Sequence, residues 1–141
     1  MAALKTYDPK QVSIVVGAFI MSGFAEDRMV SVARGADAWT KKVGCDGEVT
    51  RSKSNDKSGE VTIFLMQTSA SNEVLTGLAV LDELSNGGVV PVLIKDNSGN
   101  SIWGAAEAWI VKMPDSEYAK EAGAREWKIQ CAELIGVEGG N

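Results

Sequence analysis

The strongest helical spacing of apolar side chains in this sequence is confined to residues 71–85, "SNEVLTGLAVLDELS"; elsewhere apolar residues alternate or gather in short β-branched runs. That single change of period restricts the chain to a mainly β fold with one helix. Within it Val74, Leu75, Leu78, Leu81 and Leu84 share a face, Ser71 is placed to cap the first turn, and Glu73 suits the positive end of the helix dipole. Asn86-Gly87-Gly88 ends it, and Gly77 weakens it locally. Fifteen glycines against three prolines point to frequent tight turns between the strands.

Residues 11–21 alternate Val12, Ile14 and Val16 with Val15 and Phe19, which predicts a strand covered on both faces. "RMVSVAR" and "DAWTKKVG" predict two short strands, the second weaker. Val49–Lys53 and residues 60–67 are expected to pair as a hairpin with Asn55-Asp56 near its tip. "VVPVLIK" predicts a strand that Pro91 places at an edge or a strand start, and "SIWGAAEAWIVK" returns after a turn from Asp96. Gly104, Ala105, Ala106 and Ala108 leave part of that strand bare of bulk, as close packing would require. Residues 125–134 alternate most cleanly, with Trp127, Ile129 and Cys131 facing a core and Glu126, Lys128 and Gln130 facing water. The expected architecture is α+β, mainly β: one antiparallel β-barrel-like or sandwich-like domain over residues 1–141 with a flanking helix. Residues 1–10 and 135–141 are expected to be flexible ends.

Chemistry is hard to find. With no histidine there is no imidazole base or ligand, and Cys45 and Cys131 lack zinc or redox spacing and read as buried free thiols in a reducing cytoplasm. No nucleophile elbow or phosphate-binding glycine motif occurs. Ser52-Lys53-Ser54 could form a lysine-activated serine only if the lysine were buried, whereas its surroundings predict solvated surface. The carboxylate pairs Glu26-Asp27, Asp82-Glu83 and Asp115-x-Glu117 read as turn and helix surface, and the Asp96 turn has Ser101 where a calcium loop needs glycine. Trp39, Trp103, Trp109 and Trp127, all in predicted strands, are expected to fill the core or an interface. No apolar run is long enough to span a bilayer, and no secretory leader is evident. The net charge of −5 is uneven: nine basic and eight acidic residues precede position 71, five and eleven follow, which disfavours a nucleic-acid grip.

What remains is a polar excursion at residues 46–59, "DGEVTRSKSNDKSG", ahead of the apolar "EVTIFLMQT". It is polar on both faces and has no core of its own, so it reads as a long polar arm, a pattern that favours assembly over catalysis.

Three stretches together resemble the tail tube proteins of contractile-tailed bacteriophages: "TYDPKQVSIVVGAFIMSGFAEDRMVSV", "VGCDGEVTRSKSNDKSGEVTIFLMQTSASNEVL" and "KEAGAREWKIQCAELIGVEGGN". The ring protein of type VI secretion is similar in fold to that family. The resemblance implies a non-enzymatic virion protein, made in the bacterial cytoplasm, that forms hexameric rings stacked into a tube through which phage DNA is ejected. It implies no cofactor, no metal and no membrane anchor. Its partners would be further copies of itself, the sheath, a baseplate or tail initiator, and a tape-measure protein, with DNA passing without tight binding. Carried onto this chain, it makes Asp46, Glu48, Arg51, Lys53, Asn55, Asp56 and Lys57 an inter-ring hairpin arm. Glu126, Lys128 and Gln130 become a wet face toward the lumen or the sheath. An effector-carrying secretion tube, a small hydrolase and a ligand-binding β-domain are the competing readings.

Overall fold

The computed structural model describes residues 4–140. In chain order it contains β1 (Val12–Val16), β2 (Phe19–Ile20), β3 (Val30–Arg34), β4 (Trp39–Val43), β5 (Val49–Lys53), β6 (Gly59–Met66), α1 (Ser71–Ser85), β7 (Val90–Asp96), β8 (Ile102–Lys112), β9 (Ala124–Cys131) and β10 (Ile135–Val137). Eight strands make one antiparallel sheet in the order β2-β1-β7-β8-β9-β6-β3, with β10 beside β8, and β4 pairs only with β5. The sheet does not close; β2 and β3 are its ends.

Inward side chains from β1, β6, β7, β8 and β9 meet in a single cluster containing Ile14, Val16, Val61, Ile63, Val92, Ile94, Ala108, Trp127 and Ile129. The two halves of the sheet therefore share one core, as in a sandwich. The 11-residue β8 serves both halves: β7 runs along one side, while β9 and β10 follow one another along the other. Ala105 and Ala108 are buried there, which accounts for the small residues. Pro91 is tolerated inside β7 because a bulge between Val90 and Val92 interrupts the ladder at that point.

Helix α1 is tied down by its first turn. The Trp127 indole N–H donates to Asn72 Oδ1 at 2.9 Å, and Asn72 Nδ2 donates to the carbonyls of Met66 and Ser69. Ser71 does not cap the helix as expected. It is buried, its hydroxyl accepts the Ser22 N–H at 3.0 Å, and Ala70 holds the cap position without a side-chain bond. At the other end Asn86 adopts the left-handed conformation, φ 59°, that stops the helix.

Four further expectations change. Leu75 is buried and Leu78 packs on the core, but Leu84 is 82% exposed, because the apolar stripe of α1 outruns the sheet beneath it. The strand from residue 12 is covered on one face only: Val15 is half-buried and its partner Ile20 is 73% exposed. The C-terminal segment is not free, since β10 pairs with β8 and Gly139 N–H donates to Ser101 Oγ at 3.1 Å. Residues 1–3 and 141 lie outside the described residues; at the end of the N-terminal segment Pro9–Gln11 form a 3-10 turn capped by Asp8. Lastly, Cys131 is buried but Cys45 is exposed.

Candidate assembly surfaces: a projecting arm and two unlike sheet faces

The β3–β6 hairpin does not turn back where its ladder ends at Arg34 and Gly59. It continues outward as the ribbon of β4 and β5. The expected pairing of Val49–Lys53 with residues 60–67 is therefore wrong: β5 pairs with β4, and β6 pairs with β3 and β9. Asp46-Gly47, a strong hairpin dipeptide, makes the tip. Gly47 sits at φ 89°, Gly44 N–H donates to the Glu48 carbonyl at 2.7 Å, and Asp46 Oδ1 accepts the Glu48 N–H at 3.0 Å.

Asn55 and Asp56 are not the tip but the waist. Five steps separate Arg34 from Trp39 and six separate Lys53 from Gly59, so the returning strand carries one extra residue there. Asp56 absorbs it: its Oδ1 accepts both the N–H and the hydroxyl of Ser58, at 3.0 and 2.6 Å. Those bonds hold the Asp56 carboxyl below its ordinary range. Lys57 joins the waist to the body through its carbonyl, which accepts the Leu134 N–H at 2.8 Å.

Every residue of β4 and β5 is exposed. By register, Trp39, Lys41, Val43, Val49, Arg51 and Lys53 share one face, while Thr40, Lys42, Thr50 and Ser52 share the other. The Arg51 guanidinium lies 3.8 Å from the Trp39 ring centre, which orders the first face. The arm reading had included Arg51 and Lys53 and missed Trp39, Lys41 and Lys42, although the turn signal at Asp46-Gly47 was present in the sequence. Ser52, Lys53 and Ser54 do not converge: Ser52 and Lys53 lie on opposite faces of β5, and Ser54 Oγ accepts the Asp56 N–H at 3.2 Å.

The body has two outer sheet faces of different chemistry. On β9, Glu126 and Lys128 are exposed and Gln130 is half-buried, between inward residues Arg125, Trp127, Ile129 and Cys131. Pairing extends this wet face: Gln130 lies opposite Glu60 and Trp109, and Lys128 opposite Thr62 and Lys112. Gln130 Nε2 also donates to the Gly59 carbonyl at 3.2 Å. On the other half, directly paired residues run Ile20, Val15, Leu93, Gly104, Ile135 across five strands. Ile135 is 61% exposed, and the next row ends in exposed Ile102 and Val137.

Trp127 fills the core at 2% exposure, while Trp39 stands on the arm at 45%. Among the described residues no His, Cys, Asp or Glu cluster could hold a metal, and no helix is long and apolar enough to cross a membrane.

A family model described as "Bacteriophage PhiTE tail tube protein" matches residues 12–138. "Structural protein ORF10" of Pseudomonas phage KPP10 is 38% identical over 144 residues, covering 96% of this chain and 83% of that protein. Among solved structures, the tube-terminating cap of the anti-feeding prophage aligns with a TM-score of 0.69 at 8% identity, over 97% of this chain and 94% of its own. A chain of the extended sheath–tube complex of the extracellular contractile injection system PVC aligns with a TM-score of 0.65 at 12% identity, over 94% and 91%. At these identities the structural likeness is one of fold.

Proposed function

Since the chain belongs to the bacteriophage tail tube family, we propose that it assembles into hexameric rings stacked as the inner tube of a contractile tail, and that the tube conducts DNA at ejection. The observation that carries this reading is the arm: a ribbon whose ten strand residues are all exposed on their own subunit. An isolated two-stranded ribbon is marginal in water, so one with such exposure has its packing partner in another subunit.

The two sheet faces take complementary parts. The wet face around Glu126, Lys128 and Gln130 lines the channel, where Glu60 and Glu126 interleave with Lys112 and Lys128 and give DNA phosphates no continuous cationic track. The apolar face is covered by protein. The function is structural; sheath, tail initiator or baseplate, and tape-measure protein are its partners, and the tail of the virion its location after assembly in the host cytoplasm. An effector-carrying tube has only likeness of fold behind it.

Electron microscopy of the purified chain over a concentration series tests the reading. Hollow stacked rings are expected. Replacing residues 37–56 by a short turn should leave a folded subunit that forms no long tubes, and long tubes from that variant would refute the role of the arm.

A further inference from the structure

β8 and the β9–β10 segment are irregular at the same level. Between buried Ala105 and Ala108 both Ala106 and Glu107 face outward, and between buried Cys131 and Leu134 both Ala132 and Glu133 do the same. Ala132 N–H donates to the Glu107 carbonyl at 3.0 Å and locks the two irregularities together. Adjacent irregularities re-aim side chains, and here they set two carboxylates beside a floor of Gly104, Ala106 and Ala132, next to exposed Ile135. Neither Glu107 nor Glu133 forms an ion pair among the described residues.

The arm has the complementary character. Its strands carry Lys41, Lys42, Arg51 and Lys53 with no acidic residue, and none of the four is ion-paired among the described residues. The arm's carboxylates, Asp37, Asp46, Glu48 and Asp56, lie at its tip and waist, so residues 37–56 are neutral overall while the strands between tip and waist present only positive charge. Its ordered face also presents Trp39, Val43 and Val49, apolar surface to set against Ile135 and its row.

We infer that this face of the arm docks in the groove over the irregular stretch of β8 and the β9–β10 connection of a second copy, with Lys41, Arg51 and Lys53 against Glu107 and Glu133. The small floor lets a ribbon backbone lie close. Rival surfaces fit less well: on the wet face Lys112 and Lys128 offset Glu60 and Glu126 and leave no net negative charge for the arm, and on α1 Asp82 is already engaged by the Gly88 N–H at 3.3 Å. The inference rests on the tube reading and identifies where its inter-subunit contact falls.

The test mixes two populations in a Cys45→Ser background, one with Val49→Cys on the arm and one with Ala132→Cys in the groove, and oxidises them after assembly. Heterodimers on a non-reducing gel, in material that microscopy shows as tubes, are expected. Glu107→Lys with Glu133→Lys should raise the critical concentration for assembly by about tenfold or more, and adding Arg51→Glu with Lys53→Glu should restore it to within about threefold. Tubes that yield no heterodimer at residue 132 but do yield one with Leu84→Cys overturn the groove and leave the tube reading standing. Absence of self-association in every mixture, unmutated chain included, overturns both.

Discussion

Cys45 and Cys131 differ in what governs thiol reactivity. Cys45 is exposed at the arm tip, whereas burial among the inward residues of β9 pushes the Cys131 thiol up and keeps it neutral. One equivalent of iodoacetamide should therefore add rapidly to the folded chain at Cys45, with the second adding only on unfolding, as read by peptide mass spectrometry. Asp56 offers a pH test. Its folded-state carboxyl is depressed by the Ser58 bonds, so the order it gives the waist is complete above the ordinary carboxylate range and is lost as pH falls through the depressed value. Protection of the Ser58 amide from hydrogen exchange, corrected for intrinsic rate, should drop in that acid window and should be low at every pH in Asp56→Ala. Trp127 separates polar from packing effects: Trp127→Phe leaves the Asn72 side-chain oxygen Oδ1 unpaired at a cost of about 1–3 kcal/mol, and Trp127→Ala adds a cavity for a total of about 3–5 kcal/mol. Urea unfolding measures both.

Regular elements were legible in the sequence where one face is dry and the other wet. The alternation of residues 125–131 predicts β9 and its two faces because burial there follows strict period two. The arm was half legible. Its polar character signalled projection, but periodicity says nothing about which strand a polar strand pairs with, and Val49–Lys53 was joined to the apolar run after it although Asp46-Gly47 marked the true turn. The outward-facing pairs Ala106-Glu107 and Ala132-Glu133 were invisible, because irregularities break the very period by which strands are recognised. Gly59 shows what sequence reading undervalues at a junction. A Cβ there would meet Leu134 Cδ2 at 2.5 Å and the Ala33 carbonyl oxygen at 2.9 Å, and the latter is backbone that cannot move aside. Gly59→Ala should destabilise the subunit by about 1–3 kcal/mol through overpacking, seen as a lower urea midpoint at unchanged slope.

For the whole molecule, the division of the sheet into a wet half and an apolar half makes the lumen assignment open to direct test. A channel that lets DNA slide must avoid the clustered cations by which proteins hold phosphates, and the wet face, if it lines the tube as proposed, would meet that need by spacing carboxylates among lysines. Glu60→Lys with Glu126→Lys removes those carboxylates without touching the core, since Glu126 is exposed and Glu60 is paired with the half-buried Gln130 at the surface. The variant should fold and form tubes like the unmutated chain, because neither residue lies on the arm or in the proposed groove. Its lumen would then be a cationic sleeve. Tubes of the variant should retain a short DNA duplex at low salt and release it at about 0.2 M salt, where binding by several phosphate contacts has weakened steeply, while unmutated tubes retain none at either concentration. Equal, negligible retention by both would mean that β9 turns its wet face outward, toward the sheath, and that the apolar half of the sheet faces the channel.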